Sequence, residues 1–399
     1  MCRTPATPVT PAAKPATAAT SATSGSPSPA QESAVLELNQ LREQGVPLLP
    51  VKVPRHYRRL VEAEIAALGR TGGPLHAVVY PKADRFSTFA PGEVTNFVED
   101  FGHMPAGLER VIVHRYPAKL LYFPTDTCVG HCQYCFRPDI TGTDPARKNR
   151  HRNLDDDVLD RVVDYLGAHP GVREVIFSGG DPLACKADAL DHALSRILAV
   201  PTVRWCRFHT KAPLFAPGLL SERMIEVLGR HRVKLVIHAV HPYELGDEVG
   251  ERLAEARRHD VLLYNQFPLL RGINDHADVL LELAYRCVDL GVQMLTMFIA
   301  DPIRYGATYR LRLQRVFDLA DEVFLRGEGW VSNFRVCMDS PLGKVRREHV
   351  VAHDPDRDVY VFERDCRQVT YQDIPAAMDV PTPAADLLYN GTRFVAVSR

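Results

Sequence analysis

Apolar and polar residues follow two different periods along the middle of the chain. Short runs rich in Val, Ile and Leu, typical of buried strands, alternate with longer stretches that have the spacing of amphipathic helices. The predicted strands span residues 119–123, 172–177, 203–208, 233–238, 261–266 and 292–298, and the predicted helices span 154–166, 186–198, 219–231, 249–259, 275–290 and 309–325. Six such units predict a parallel sheet with right-handed crossovers. Because a closed barrel of this kind has eight units, we predict an α/β fold built on a partial (β/α)6 barrel that resembles a TIM barrel.

The chain on either side of this alternating region has a different composition. Residues 1–33 are almost entirely Ala, Pro, Thr and Ser, which cannot bury enough apolar surface to fold, and we predict a disordered tail. Residues 34–113 predict N-terminal helices, the first capped by Ser33, and then a loop-rich stretch. Residues 114–330 predict the barrel, and residues 331–399 predict a C-terminal segment of short strands and loops that covers it.

The charge balance excludes some classes of function. The sequence of 399 residues carries 48 Lys and Arg against 49 Asp and Glu, a net charge of −1. This balance argues against binding to nucleic acid or to an anionic membrane, and no apolar run approaches the roughly 20 residues of a membrane span. Nine Cys, an odd number, with three of them close together, favour reduced thiols that bind a metal over a disulfide framework. We therefore expect a cytoplasmic protein.

Three cysteines lie directly after the first predicted strand of the barrel. Cys128, Cys132 and Cys135 have the spacing Cys-x3-Cys-x2-Cys, and their thiolates can bind one metal centre. Structural zinc sites have four ligands, and iron–sulfur clusters also commonly have four Cys. Three thiolates would therefore leave one iron of such a cluster open to a further ligand. The alternative is a zinc knuckle whose fourth ligand is His131 or a distant Cys.

The cysteine spacing resembles that of the radical S-adenosylmethionine (SAM) superfamily. The aromatic residue before the third cysteine, Tyr134, fits the same pattern. The second predicted strand ends in Ser178, Gly179, Gly180 and Asp181, and adjacent glycines let a backbone approach a ligand closely. The resemblance implies that the open iron of a 4Fe–4S cluster binds SAM and that the Gly-Gly-acid motif at this strand end binds the methionyl amino group.

Further motifs resemble the lysine 2,3-aminomutase family within that superfamily, from about residue 114 to residue 344. They are His114-Arg-Tyr-Pro117, the cysteine loop with Arg137, Ser178-Gly-Gly-Asp-Pro-Leu183, His238-Ala-Val-His-Pro-Tyr-Glu244, Asn265-Gln266, Leu270-Arg-Gly-Ile-Asn-Asp275, Asp301 and Asp339-Ser-Pro-Leu-Gly-Lys344. Several motifs in the same order are more specific than any one of them.

This resemblance implies a second cofactor, pyridoxal 5′-phosphate (PLP), which attaches to a lysine. By the resemblance Lys344 is that lysine and Arg115 binds the phosphate, for which a guanidinium is well suited. Tyr116 is expected against the pyridine ring, and His238 and Gln266 are expected to contact the cofactor.

The resemblance also implies the substrate contacts. Arg137 is expected to bind the α-carboxylate of an amino acid, and Asp301 and Asp339 to bind the distant ammonium of lysine. The expected reaction is the isomerisation of L-lysine to β-lysine. The reaction would need an electron donor such as flavodoxin or ferredoxin. We also expect that the enzyme can form a homo-oligomer.

The sequence departs from the family at two places. The turn Pro-Leu-Gly-Lys344 is two residues shorter than the glycine-rich turn of the family, which puts PLP anchoring and the substrate in question. His276 stands where a family zinc ligand would, and Cys366 is the only cysteine after Lys344, so we expect no zinc site. Three alternatives remain: a family member that acts on arginine, ornithine or another amine, an enzyme that modifies a protein-bound lysine, and a non-catalytic iron–sulfur or zinc module.

Overall fold

The computed structural model describes residues 28–141 and 152–393. Its helices are α1 (Pro29–Glu43), α2 (Arg55–Leu68), α3 (Pro74–Val79), α4 (Asp156–Ala168), α5 (Ala187–Leu198), α6 (Ala212–Phe215), α7 (Glu222–Arg230), α8 (Asp247–Arg258), α9 (Ala277–Asp289), α10 (Leu313–Arg326) and α11 (Ala384–Leu387). Its strands are β1 (Ile112–Tyr116), β2 (Lys119–Thr125), β3 (Glu174–Gly179), β4 (Trp205–Thr210), β5 (Lys234–Ile237), β6 (Leu262–Leu269), β7 (Gln293–Ile299), β8 (Arg335–Ser340), β9 (Gly343–Val345), β10 (Val350–Asp354), β11 (Val359–Arg364) and β12 (Arg367–Gln372).

The predicted start of the first helix differs from the structure. Residues 1–27 of the predicted tail lie outside the described residues. Helix α1 begins at Pro29, and the side chain of Ser28, not that of Ser33, accepts a hydrogen bond from the backbone N–H of Gln31. Proline favours the first turn of a helix because its missing N–H would have no partner there, so the Ser28-Pro29 pair is the stronger helix start.

Nine strands form one curled sheet in sequence order from β1 to β9. Strands β2 to β8 are parallel, and β1 and β9 pair antiparallel with the outer strands β2 and β8. The predicted partial barrel is confirmed, and each of the six predicted strand–helix units is present within a few residues. The structure adds a seventh parallel strand, β8, in the segment predicted to be a cover. This short strand lacks a long apolar run, which is why the periodicity did not show it.

The two edges of the sheet approach each other and bring β1 next to the β8–β9 hairpin. Arg115 on β1 donates a hydrogen bond to the backbone carbonyl of Ser340 on β8. A Cβ atom on Gly343 would lie 3.3 Å from the hydroxyl of Tyr116, and Gly343 has a φ of +93°, which glycine adopts without strain. Side chains therefore join the two edges, where a closed barrel would have a strand ladder.

The outer helices bury their apolar faces against this sheet. On α7, for example, Met224, Ile225, Val227 and Leu228 are buried, and burial of one such side chain contributes roughly 1.5–3 kcal/mol. A second, antiparallel sheet of β10, β11 and β12 follows the hairpin. None of the helices in the described ranges is long and apolar enough to cross a membrane.

Candidate active site

One cavity of about 730 Å³ fills the inside of the curled sheet. A cavity of this size is large enough for a cofactor or a drug-sized ligand. All fifteen residues that the sequence nominates as site residues line it: Arg115, Tyr116, Cys128, Cys132, Cys135, Arg137, Ser178, Gly179, Gly180, Asp181, His238, Gln266, Asp301, Asp339 and Lys344. The fold therefore brings together motifs that are more than 200 residues apart in the chain.

The cysteine loop follows the carboxyl end of β2 and is supported by a segment much earlier in the chain. The Nζ of Lys52 donates to the carbonyl of Cys128 at 2.6 Å, and the backbone N–H of His131 donates to the carbonyl of Lys52 at 3.0 Å. A Cβ on Gly130 would lie 2.8 Å from the Pro54 ring. This close packing holds the loop against residues 50–54.

The three thiols face the cavity in an environment that favours their protonated form. Burial raises the pKa of Cys128 and Cys135 and raises that of Cys132 to about 12. A metal that binds these sulfurs must therefore displace their protons.

The alternative predicted from the sequence, a zinc site, needs four ligands around one ion. Within residues 28–141 and 152–393, no three His, Cys, Asp or Glu side chains converge closely enough to hold one ion. The thiolates of a 4Fe–4S cluster bind different irons and stand further apart than the ligands of one zinc. His131, the alternative zinc ligand, donates its Nδ1–H to the carbonyl of Pro50 at 2.8 Å. The three thiols that line the cavity from this one loop are the residues that could hold an iron–sulfur cluster.

The Gly-Gly motif at the end of β3 lies directly against the cysteine loop. Gly179 has a φ of +90°, and a Cβ on Gly180 would lie 2.4 Å from the carbonyl oxygen of Thr127. The backbone N–H of Gly180 donates to Thr125, and that of Asp181 donates to Thr127. Only glycine allows this approach, so the two glycines let the end of β3 pack directly against the backbone of the cysteine loop, beside the thiols.

The carboxylate of Asp181 is occupied by protein groups. It accepts hydrogen bonds from the backbone N–H groups of Leu183, Lys211 and Ala212 and from the hydroxyl of Thr210, at 2.7–3.0 Å. The bonds from Thr210, Lys211 and Ala212 tie the end of β3 to the end of β4. The resemblance assigns the acid of this motif to SAM, and in the structure Asp181 lines the cavity while its carboxylate accepts these four hydrogen bonds.

Two histidines share one glutamine at the ends of β4, β5 and β6. The amide nitrogen of Gln266 donates to Nδ1 of His209 at 3.0 Å and to Nε2 of His238 at 3.2 Å. Burial lowers the pKa of His238 to about 3 and holds that of His209 well below its usual value. Both rings are therefore neutral, and the amide nitrogen of Gln266 is already used, so its carbonyl oxygen is the group left for a cofactor.

The β8–β9 hairpin pairs the lysine predicted to bind PLP with an acid predicted to bind substrate. Asp339 lies opposite Lys344 in the strand register, and the Lys344 Nζ is 2.8 Å and 3.1 Å from the two carboxylate oxygens. The same ammonium lies 4.1 Å from the centre of the Phe298 ring. The short turn thus places two predicted functions side by side on one face of the hairpin.

Asp301 follows β7 and lies on the cavity wall near this pair. Its carboxylate has no hydrogen-bond partner in the described part of the chain, and only its backbone carbonyl is used, by the N–H of Ile303. Burial, and then the charge of Asp339, raise the pKa of Asp301 to about 8. An acid of this kind is ready to accept a cationic group that enters the cavity.

The residues of β1 take up positions on the hairpin side of the cavity. The guanidinium of Arg115 donates to the carbonyls of Val98 and Ser340. Tyr116 lies beside Gly343, and the Lys119 ammonium lies 4.8 Å from the Tyr116 ring. Arg115 has no carboxylate partner within the described ranges, so this side of the cavity presents an aromatic ring, two cations and the Lys344 amine. These groups fit PLP, which needs a cation for its phosphate and a lysine for attachment.

The chain is similar in sequence to known proteins. Residues 122–261 match the radical SAM superfamily. The chain is 30% identical over 264 residues to the L-lysine 2,3-aminomutase of Escherichia coli, and the matched region covers 66% of this chain and 72% of that protein. The chain belongs to the lysine 2,3-aminomutase family of radical SAM proteins.

Other relatives are matched over a smaller part of their length. The L-lysine 2,3-aminomutases of Haemophilus influenzae and Clostridium subterminale are each 29% identical to this chain, over 202 and 191 residues. The chain spans 57% and 44% of these two proteins, about half of their length. Among solved structures, one described as native anSMEcpe with bound AdoMet has 13% identity and a TM-score of 0.41, and it covers 56% of this chain and 64% of that one.

The cavity of this family member contains further charged and polar groups outside the quoted motifs. Asp100 bonds Arg137, His209 bonds Gln266, and Lys211 forms an ion pair with buried Glu244 at 2.6 Å. Arg335 lines the cavity from β8. Asp100 begins a short 3₁₀ helix, Asp100–His103, in a stretch predicted to be rich in loops, and no pattern in the sequence would reveal it. His209 and Lys211 stand at the end of a predicted strand, and that position was the one available signal for them.

Proposed function

We propose that this protein is an amino acid 2,3-aminomutase that uses a 4Fe–4S cluster, SAM and PLP, with L-lysine as the first substrate to test. The observation that carries the proposal is the common cavity, which Cys128, Cys132 and Cys135 line together with Lys344. Radical transfer and nitrogen migration both require the reacting groups to be held close and in line.

The cofactors would bind at opposite sides of the cavity. The three cysteines would hold the cluster, and the backbone of residues 178–180 would hold SAM beside it. Lys344 would hold PLP, with Arg115 and Tyr116 against it. When bound, SAM supplies the radical that takes hydrogen from carbon, and PLP supplies the conjugation through which nitrogen moves to the neighbouring carbon.

The chain's own residues would bind and orient the amino acid. Arg137 would bind its carboxylate through guanidinium N–H groups, and Asp301 would bind a side-chain cation through its carboxyl; neither set of groups has a hydrogen-bond partner in the described part of the chain. Asp339 is the nearest acceptor for the proton that Lys344 must release before its amine can react. Apolar walls such as Phe267 and Phe298 keep water away from the reacting carbon.

The test is anaerobic turnover by the reconstituted protein. The enzyme, reduced with dithionite and supplied with SAM, PLP and one of L-lysine, L-arginine or L-ornithine, should convert one of these amino acids to its β-isomer, as detected by mass spectrometry. A protein electron donor such as flavodoxin or ferredoxin should be able to replace dithionite. SAM cleavage with no conversion of any free amino acid would favour a protein-bound lysine as substrate. No cleavage of SAM would favour a non-catalytic module.

The role of Lys344 has its own readout. Borohydride reduction should fix PLP to Lys344, as located by peptide mass spectrometry, and Lys344→Ala should abolish the label. Lys186→Ala is the matched control, because Lys186 is exposed and outside the cavity. A label on another lysine, or no label at all, would contradict PLP attachment at Lys344.

A further inference from the structure

One edge of the Arg137 guanidinium is held by an acid at the start of a short 3₁₀ helix, Asp100–His103. Nε of Arg137 lies 2.5 Å from Oδ2 of Asp100, and Nη2 lies 3.4 Å from Oδ1. The side chain of Asp100 is 3% exposed and that of Arg137 is 16% exposed. The guanidinium also lies 4.5 Å from the ring of Phe136. A buried ion pair with two hydrogen bonds and an aromatic contact fixes the plane of the guanidinium.

The other edge of the guanidinium is open to the cavity. Arg137 has five N–H donors, and Asp100 takes one from Nε and one from Nη2. The remaining N–H groups of Nη1 and Nη2 have no hydrogen-bond partner among residues 28–141 and 152–393. They form the second edge at which a guanidinium can bind a carboxylate with two parallel hydrogen bonds.

Asp100 lies in a segment that also contacts two other parts of the site. Val98 and Asp100 line the cavity, and the carbonyl of Val98 accepts a hydrogen bond from Arg115. Val94 pairs through its backbone with Pro302 and Arg304, directly after Asp301. These contacts attach the segment just before Asp100 to the strand of Arg115 and to the loop of Asp301.

We infer that Asp100 is a positioning residue that holds Arg137 so that its Nη1–Nη2 edge binds the α-carboxylate of the amino acid. This inference rests on the proposed function. Because Asp100 also offsets part of the positive charge of Arg137, it does not strengthen the attraction of Arg137 for a carboxylate. Its contribution to amino acid binding is the orientation of the guanidinium. Without it the long arginine side chain can occupy several rotamers, and carboxylate binding would lose the two-bond geometry.

The test compares an amino acid with its carboxamide. Calorimetry on the reconstituted protein would measure the Kd of the amino acid that turns over in the panel, and the Kd of the same compound with its α-carboxylate converted to an amide. Asp100→Ala should weaken amino acid binding by about tenfold or more, which corresponds to one charge-assisted hydrogen bond. Carboxamide binding should change by less than about twofold, and Asp100→Asn, which keeps the side-chain shape, should fall between.

A double-mutant cycle separates positioning from a general structural effect. In an Arg137→Ala background, Asp100→Ala should have no further effect on the Kd, because the two residues act as a unit. Glu99→Gln is the matched control, since Glu99 is the neighbouring acid in the same segment but is exposed and lies outside the cavity. Equal weakening of both ligands by the Asp100 variants, or additive effects in the cycle, would overturn the inference. If no amino acid in the panel turns over, the proposed function fails before Asp100 is tested.

Discussion

Adding one methyl group to Gly180 should disrupt the support of the cysteine loop. In Gly180→Ala the new Cβ would lie 2.4 Å from the carbonyl oxygen of Thr127 and 2.6 Å from the carbonyl carbons of Asp126 and Thr127. These are backbone atoms, which a side-chain rotation cannot move away. The loop must shift by about 1 Å to restore an ordinary contact of 3.4 Å, and Cys128 is the next residue. Overpacking of this kind costs about 1–3 kcal/mol.

The assay is cluster retention together with thermal unfolding. Gly180→Ala should bind less iron and sulfide per chain than the wild type, should lose its cluster faster to a chelator and should melt at a lower temperature. Gly167→Ala is the matched control, because a Cβ at Gly167 meets nothing within 4 Å and removing a glycine from helix α4 stabilises it by roughly 0.5–1 kcal/mol. A Gly180→Ala protein with full iron content and an unchanged melting temperature would refute the reasoning.

Three further predictions follow from the same contacts. Single Cys→Ala changes at Cys128, Cys132 and Cys135 should each remove the visible absorbance of the cluster and abolish SAM cleavage while far-UV circular dichroism is preserved; activity retained in any one would contradict the iron assignment. Asp301 has a pKa raised to about 8, so its carboxyl is mostly neutral at pH 7 and ionises as the pH rises. The affinity for a cationic amino acid, measured by calorimetry, should therefore increase as the pH passes 8. In Asp301→Asn the affinity should not change with pH over the same range. Lys211→Ala should destabilise the protein by about 3–5 kcal/mol, because it leaves the fully buried Glu244 without its cation. Arg258→Ala, which breaks an exposed pair with Glu255, should change the free energy of unfolding by less than about 1 kcal/mol. Similar losses for the two variants in denaturant titrations would refute this comparison.

The barrel could be predicted from the sequence because its signals are local. Strands such as β5, where Leu235, Val236 and Ile237 are all buried, have a short apolar run, and crossover helices such as α7 have an apolar face. Strand β8 has no such run. Its register with Thr296 and Phe298 on β7 is set by packing between distant segments, which local periodicity does not contain.

The residue types of the site could be predicted, but several of their partners could not. Motif order placed Asp339 and Lys344 in one site, but it did not show that the short turn brings the amine within 2.8 Å of the carboxylate. The carboxylate of Asp181 accepts a hydrogen bond from the backbone of Lys211, which lies 30 residues later, directly after β4. Contacts of this kind depend on which hydrogen bonds the folded backbone leaves open.

The dependence of the cysteine loop on residues 50–54 has a practical consequence for protein engineering. The stretch that matches the superfamily begins at residue 122, yet the lysine and proline that hold the loop come about 70 residues earlier. A fragment cut at the limits of the match would leave the carbonyl of Cys128 and the ring of His131 without these neighbours. A minimal domain made from this chain should therefore retain residues 50–54, or these residues should be supplied as a separate peptide.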